Sequence, residues 1–234
     1  MFISQINNIL DAKTVSNVFS IIDEAKFVDG RISAPTERNK YNQEMVPESE
    51  MYMEVLRIIE MAVRENYEFN LTAFPRYMTR PIISRYEVGM FYKGHVDKPV
   101  MNFMENKFGL MPLGQNYVRS DLSMTLFLSD PASYNGGELY FEAPLNTVKV
   151  KLEAGSAVVY PTGRRHQVLP VTRGVRYAAI FWIQTLFPVE AHRQAVFNAH
   201  QLSRLIQNFA PRDSKVHELA EENFFNLARM LAEV

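Results

Sequence analysis

The pattern of apolar and polar positions divides the chain into a helical first third, a β-rich middle and a helical end. In the first third, apolar residues recur at helical spacing in two segments, for which Asp11 and Ser49 are candidate N-terminal caps. Residues 30–43 carry no apolar period and are predicted to form a loop. From Pro81 onward, short apolar or alternating runs separated by Gly, Pro, Asn and Asp predict strands, at roughly 82–88, 90–96, 121–129, 138–143, 146–152, 156–160, 165–171 and 175–185.

Eight short strands at this spacing are typical of a β-sandwich or jelly roll. Two helices are predicted after them, at about 189–208 and 213–232, with Asp213 or Ser214 capping the second. We therefore predict an α+β protein with a mainly β core. Its regions are an N-terminal helical support region (1–80), a jelly-roll core (81–187) and a C-terminal helical extension (188–234). The extension could pack on the core, form a homo-oligomer or cover a pocket, and the sequence does not choose between these roles.

Composition and charge narrow the classes of partner. With a net charge of −1 the chain has no excess of basic residues, so nucleic acid is not an expected partner. The absence of cysteine excludes disulfides, thiolate metal ligands and a cysteine nucleophile, and it fits a cytoplasmic protein. No 18-residue apolar run is present and the N-terminus lacks the pattern of a signal peptide, so no membrane partner is expected.

The candidate chemistry begins with His95-Val96-Asp97, followed much later by His166. Residues i and i+2 of a strand point the same way, so His95 and Asp97 can meet at one ion. Two histidines and one carboxylate form the facial triad that holds non-haem Fe(II) and leaves other positions open. Taken alone, a His-x-Asp pair is more often a solvated strand end. The other three histidines, His192, His200 and His217, fall in the predicted C-terminal helices and are expected to be surface or packing residues.

Motifs around the triad carry a family resemblance. The chain resembles the iron- and 2-oxoglutarate-dependent dioxygenases of the prolyl-4-hydroxylase type, and most closely the PKHD-type hydroxylases of the PiuC group. The matching residues cover roughly positions 80–185. They are Arg85-Tyr86, Gly89-Met90-Phe91-Tyr92, His95-Val96-Asp97, Arg119-Ser120-Asp121-Leu122-Ser123, Leu126-Phe127-Leu128-Ser129-Asp130-Pro131, Gly136-Gly137-Glu138-Leu139, His166 and Arg176-Tyr177-Ala178-Ala179.

The resemblance implies a double-stranded β-helix whose pocket lies between two sheets. It implies Fe(II) bound by His95, Asp97 and His166, with 2-oxoglutarate and O₂ as co-substrates and ascorbate as the reductant that rescues oxidised iron. The reaction would be hydroxylation of a substrate coupled to decarboxylation of 2-oxoglutarate to succinate. The substrate stays open between a free amino acid, a peptide or protein side chain and a siderophore-like molecule.

The resemblance also assigns a role to Arg176, which would bind the distal carboxylate of 2-oxoglutarate. A planar guanidinium suits a carboxylate and keeps its charge when buried, although a strand arginine can also pair with a surface acid. Tyr86 would place its hydroxyl near the same co-substrate, with Tyr92 as an alternative. Trp182, the only tryptophan, resembles one seen near the metal in some prolyl hydroxylases but could equally be a core residue.

Three further features of the sequence lie outside the triad and its co-substrate residues. Gly136-Gly137 is expected to be a turn without catalytic content. Arg164 and Arg165 could attract an anionic substrate, but a solvated pair is the favoured interpretation. The 98–118 segment is long enough to be a lid or a substrate loop. Its apolar residues could form a lip or pack on the barrel, and they are Met101, Phe103, Met104, Phe108, Leu110 and Met111.

Two other functions compete with the dioxygenase. Pro161-Thr162-Gly163-Arg164-Arg165-His166 fits the second motif of cupins, but their first motif has histidine where this chain has Asp97. A cupin-type oxygenase that does not use 2-oxoglutarate is therefore the alternative enzyme. A non-enzymatic jelly-roll binding module is the third hypothesis, and it would not need a complete triad.

Overall fold

A computed structural model describes residues 3–102, 117–142 and 147–233. Its helices are α1 (Ala12–Glu24), α2 (Glu50–Glu65), α3 (Tyr67–Ala73), α4 (Glu190–Ile206) and α5 (Lys215–Leu231), with a short 3₁₀ helix at Gly30–Ile32. Its strands are β1 (Ser4–Ile6), β2 (Phe27–Asp29), β3 (Lys40–Tyr41), β4 (Gln43–Met45), β5 (Pro75–Met78), β6 (Ile82–Tyr86), β7 (Phe91–His95), β8 (Val100–Asn102), β9 (Tyr117–Arg119), β10 (Leu122–Phe127), β11 (Asn135–Gly136), β12 (Leu139–Phe141), β13 (Val148–Val150), β14 (Ala157–Pro161), β15 (His166–Val168), β16 (Val171–Arg173) and β17 (Arg176–Thr185).

The helices begin where the sequence places their caps. Asp11 accepts a hydrogen bond from the Thr14 amide at 2.7 Å, and Ser49 accepts one from the Tyr52 amide at 3.2 Å. Each cap satisfies an amide that has no partner within the helix. At the C-terminal end, Ser214 rather than Asp213 caps α5. The predicted helices at both ends of the chain are thus confirmed, and none of the described helices is long and apolar enough to cross a membrane.

Two antiparallel sheets form the centre of the fold. The major sheet has the order β1-β14-β10-β17-β6-β4-β2, with β5 also paired to β17, and the minor sheet has the order β13-β12-β15-β7-β3. One apolar core lies between the major sheet and helices α1 and α2. A second core lies between the sheets, where Phe127 and Tyr160 of the major sheet meet Phe141 and Val168 of the minor sheet. The jelly roll and the α+β class are confirmed.

The predicted strands are all present, but the sequence pattern missed strands in the first third. Strands β1, β2 and β4 extend the major sheet, and the predicted loop at 30–43 contains the 3₁₀ helix, β3 and the start of β4. The loop prediction was therefore wrong over part of its length. Strands of two or three residues are too short to show an alternating pattern, and they are held by pairing with distant strands. The division into regions 1–80, 81–187 and 188–234 stays a prediction.

Candidate active site

The three predicted metal ligands lie together at one end of the minor sheet. His95 ends β7, His166 begins β15, and the two residues are direct partners in the antiparallel pairing. Asp97 follows His95 by two residues. One ligand atom from each side chain lies within 4.8 Å of the others, so the cluster could hold a metal ion. Strand pairing thus brings together residues that are far apart in the sequence.

Backbone carbonyls fix the direction of both imidazole rings. The Nδ1 atom of His95 lies 2.9 Å from the Lys93 carbonyl oxygen, and that of His166 lies 2.8 Å from the Arg164 carbonyl oxygen. A carbonyl only accepts, so each Nδ1 carries the proton and each Nε2 keeps its lone pair. The Nε2 atoms lie 3.4 Å (His95) and 3.8 Å (His166) from the Asp97 carboxylate. Both lone pairs therefore converge on one point beside Asp97.

The protonation states suit metal binding. Burial raises the pKa of Asp97, but its close contacts with the imidazoles of His95 and His166 and the hydrogen bond from Ser123 outweigh burial and bring that pKa down to about 2. Burial also lowers the pKa of His166, which keeps its ring neutral. Metal ligands must be deprotonated carboxylates and neutral imidazoles. A set of two imidazoles and one carboxylate, without thiolate, fits Fe(II).

Asp97 is also held from the major sheet. Its Oδ2 atom accepts hydrogen bonds from Ser123 Oγ at 2.8 Å and from Trp182 Nε1 at 3.0 Å. The sequence left open whether Trp182 lies near the metal or in the core. The structure places its indole N–H against Asp97, one of the predicted metal ligands. The contact of Ser123 was missed, because it depends on the packing of one sheet on the other.

Arg176 lies on the major sheet, where it begins β17 and pairs with Tyr86 of β6. Its side chain is 1% exposed, and its guanidinium carbon lies 5.3 Å from the Tyr86 ring centre and 5.4 Å from that of Phe127. Its Nε has no hydrogen-bond partner, and no ion pair within the described residues involves it. A buried, unpaired charge is strongly unfavourable. The site therefore fits an anionic ligand.

One cavity of about 150 Å³ joins these groups. The metal-ligand cluster and Arg176 both line it, together with Tyr86, Tyr92, Thr125, Tyr160, Ile180 and Trp182. A carboxylate ligand could therefore extend from the metal cluster to the guanidinium within this one cavity. This arrangement also fits 2-oxoglutarate, which carries a carboxylate at each end.

A buried polar cluster that the sequence did not reveal completes the cavity wall. Lys40 and Glu44 form a buried ion pair, and Ser33 bonds to both charged groups at 2.8 Å. Lys40 belongs to the minor sheet and Glu44 to the major sheet, so their ion pair connects the sheets beside the cavity. All three residues lie in or next to the predicted loop, which therefore contributes directly to the site.

The structure separates the two tyrosines proposed near the co-substrate. Tyr86 is buried beside Arg176, and burial raises the pKa of its hydroxyl. Tyr92 instead stacks on the His95 ring with 3.6 Å between ring centres. Tyr86 therefore lies at the guanidinium end of the cavity, and Tyr92 lies at the metal end.

Gly137 has a packing role that the turn interpretation did not include. It has a φ of +66°, and a Cβ atom there would lie 3.0 Å from Cδ of Arg176. The glycine thus allows the turn to approach the arginine closely. Arg164 and Arg165 pair with Glu190 and Glu142 and do not line the cavity.

The 98–118 segment, a candidate lid or substrate loop, is described only at its ends. Strands β8 and β9 pair with each other, and Met101 lines the cavity. Phe103, Met104, Phe108, Leu110 and Met111 lie outside the described residues. Of the remaining histidines, His200 and His217 are buried in α4 and α5, away from the cluster at Asp97.

Comparisons with known proteins agree with this geometry. The model of the 2OG-Fe(II) oxygenase superfamily matches residues 81–184. Over 233 residues, the chain is 36% identical to a PKHD-type hydroxylase from Caulobacter sp. (strain K31), which covers 98% of this chain and 99% of the relative. It is 34% identical, also over 233 residues, to the PKHD-type hydroxylase YbiX from Escherichia coli (strain 55989 / EAEC), with 98% of each chain covered.

Solved structures share the fold at lower sequence identity. A prolyl hydroxylase from Trichoplax adhaerens, in complex with a hypoxia inducible factor peptide fragment, has a TM-score of 0.54 and 16% identity over 77% of this chain and 82% of that chain. A viral collagen prolyl hydroxylase from Paramecium Bursaria Chlorella virus-1 has a TM-score of 0.50 and 19% identity over 79% and 96%. The chain is about a third identical to these relatives over almost its whole length, and the family model matches its core. The chain therefore belongs to the PKHD-type hydroxylases and is an iron(II)- and 2-oxoglutarate-dependent hydroxylase.

Proposed function

We propose that His95, Asp97 and His166 bind the catalytic Fe(II), and that Arg176 binds the distal carboxylate of 2-oxoglutarate. The observation that carries this proposal is the placement of a converging His-Asp-His set and a buried, unpaired guanidinium in one cavity. A cupin-type enzyme would not need that guanidinium, and a binding module would need neither group. Membership of the hydroxylase family removes both alternatives.

In this proposal each part of the chain has a separate task. Iron with 2-oxoglutarate and O₂ supplies the oxidising chemistry that hydroxylates an unactivated C–H bond. His95 and His166 supply neutral nitrogen ligands because backbone carbonyls hold their Nδ1 protons. Asp97 supplies a negative charge that partly neutralises the metal. Arg176 orients the co-substrate from the far end of the cavity, and the walls around it exclude water.

Tyr86 is the tyrosine that we assign to the co-substrate. It lies next to Arg176 on the neighbouring strand, whereas Tyr92 packs on a metal ligand. Its raised pKa keeps the hydroxyl protonated, so it can donate a hydrogen bond to the same carboxylate. Ascorbate is proposed only as the external reductant.

For the substrate, we favour a peptide or protein side chain. The support is the peptide complex of the Trichoplax prolyl hydroxylase, which shares the fold. The Lys40–Glu44 pair adds polar groups to the cavity wall that a polar substrate could contact. A free amino acid and a siderophore-like molecule are the alternatives. A mass increase of 16 in peptides, but not in small molecules, of a treated lysate would support the peptide assignment.

The metal assignment is tested by stoichiometry. Wild-type protein should bind one Mn(II) per chain under anaerobic conditions, and His166→Ala should lose that equivalent. His192→Ala is the matched control, because this residue lies on an exposed part of α4. A full equivalent of metal in the His166→Ala protein would contradict the assignment.

Self-association through the C-terminal helices is proposed as a further role. Apolar side chains on and just after α4 are exposed, with Leu202, Leu205 and Phe209 the clearest examples. Burying them against a second copy would remove apolar surface from water. Light scattering of wild-type protein and of the double variant Leu205→Ser/Phe209→Ser tests the proposal. If the wild-type protein is an oligomer through these residues, the variant should have a lower molar mass in solution, and if it is a monomer, the two masses should be equal.

A further inference from the structure

The side chains that hold Asp97 form a defined pair on the major sheet. Ser123 of β10 and Trp182 of β17 are direct partners in the antiparallel pairing, so their side chains project from the same face. Both donate to the same atom, Oδ2 of Asp97, at 2.8 and 3.0 Å. The indole N–H can only donate, so the direction of its bond is fixed.

These two bonds make the carboxylate oxygens of Asp97 unequal. Oδ2 is occupied by the two donors from the major sheet. Oδ1 accepts neither of these bonds and lies 3.4 Å from Nε2 of His95, whereas Oδ2 lies 3.8 Å from Nε2 of His166. A carboxylate held in this way presents one oxygen to a metal, whereas a free carboxylate could turn and chelate through both.

We propose that Ser123 and Trp182 are positioning residues that restrict Asp97 to one metal-binding oxygen. The inference rests on the proposed metal site. A facial triad works because its open positions accept the co-substrate and oxygen. A second oxygen from Asp97 would take one of these positions and compete with 2-oxoglutarate. The hydrogen bonds therefore preserve the reactive coordination sites as well as the orientation of the ligand.

The test uses Co(II)-substituted protein, whose visible absorption reports the number and geometry of the ligands. Trp182→Phe removes the N–H and keeps an aromatic ring, and Ser123→Ala removes the hydroxyl. Ile183→Val is the control, because Ile183 follows Trp182 on β17 and packs in the core between the major sheet and helices α1 and α2, away from the cavity. Loss of a hydrogen bond to a metal ligand typically lowers metal affinity about 10–100-fold.

We expect both single variants to weaken Co(II) binding and the double variant to weaken it further. Their Co(II) spectra should differ from that of wild-type protein, and 2-oxoglutarate should bind more weakly to the Co(II) forms. Ser123→Thr retains a hydroxyl and should restore the wild-type spectrum in part. Trp182 is the only tryptophan, so its fluorescence in the Ser123→Ala protein gives a second measure of Co(II) binding.

Two outcomes would overturn the inference, and they differ from each other. If the double variant folds and matches Ile183→Val in both Co(II) affinity and spectrum, the two residues only fill space. If wild-type protein itself fails to bind Co(II), the proposed metal site is wrong and the inference falls with it. Thermal melts of the metal-free variants identify folding defects, and Ser123→Ala, the smaller change, then carries the test alone.

Discussion

Replacing Arg176 by methionine should remove most of the stabilisation that 2-oxoglutarate gives to the protein. Arg176 is buried without an ion-pair partner among the described residues, so its charge costs free energy until an anion binds. Methionine has a similar length and no charge. The metal-free variant should therefore melt no lower than wild-type protein, which distinguishes this arginine from one in a structural ion pair.

The expected size follows from linkage between binding and folding. A ligand at 100 times its dissociation constant stabilises the folded state by about 2.7 kcal/mol. For a protein of this size, that corresponds to a rise in melting temperature of roughly 5–11 °C. Loss of a desolvated charge partner costs ~2–5 kcal/mol of binding, at least about 30-fold in affinity. At the same 2-oxoglutarate concentration, the variant should then gain about 0.9 kcal/mol or less.

The assay is a thermal melt of Mn(II)-loaded protein without oxygen, with and without 2-oxoglutarate. Arg85→Met is the matched control, because Arg85 is the neighbour of Tyr86 on β6 and pairs with Glu87 instead of lining the cavity. It should keep the full shift. An unchanged shift in Arg176→Met would show that 2-oxoglutarate binds elsewhere. A much lower melting temperature of the metal-free variant would refute the argument that the charge is unpaired.

Three other outcomes follow from buried groups. Burial lowers the pKa of His166 in the folded protein. Metal-free protein should therefore lose stability as the pH falls below about 6.5, the ordinary pKa of histidine in an unfolded chain. Thermal melts from pH 8 to 5 should show that the melting temperature depends less on pH in His166→Gln than in wild-type protein. Lys40→Met or Glu44→Leu alone should cost ~3–5 kcal/mol in urea unfolding, whereas the double variant should be close to wild type; additive losses would contradict the pairing. Gly137→Ala should destabilise by ~1–2 kcal/mol because its φ is positive, and it should weaken 2-oxoglutarate binding by displacing Arg176, which calorimetry would measure.

The proposed metal ligands and Arg176 could be singled out from the sequence because their chemistry is specific and their local spacing is short. His95 and Asp97 are two residues apart, and imidazole and carboxylate are the ligand types of a non-haem Fe(II) triad. The ten-residue strand that begins at Arg176 shows a clear alternation of buried positions, and His166 was located by its place among the family motifs. These residues could therefore be assigned to the family motifs without knowing how the two sheets pack.

The supporting residues could not be named in the same way. Ser123 is an ordinary strand serine until the register of β10 and β17 places it opposite Trp182. Lys40 and Glu44 lie in strands of two and three residues, which give no periodic signal. Serine, lysine and glutamate are common surface residues, so their burial at the cavity is a property of the assembled fold.

The site is divided between the two sheets, so binding of the co-substrate should affect how the sheets pack on each other. His95 and His166 are neighbours on the minor sheet, whereas Arg176 and Tyr86 are neighbours on the major sheet. Asp97 connects the two halves, because it stands with the histidines but is held by Ser123 and Trp182 of the major sheet. A co-substrate that contacts both the metal cluster and Arg176 would link the same two layers. Binding of 2-oxoglutarate should therefore strengthen the packing of the sheets beyond what metal alone achieves, since the metal ligands all come from one end of the minor sheet.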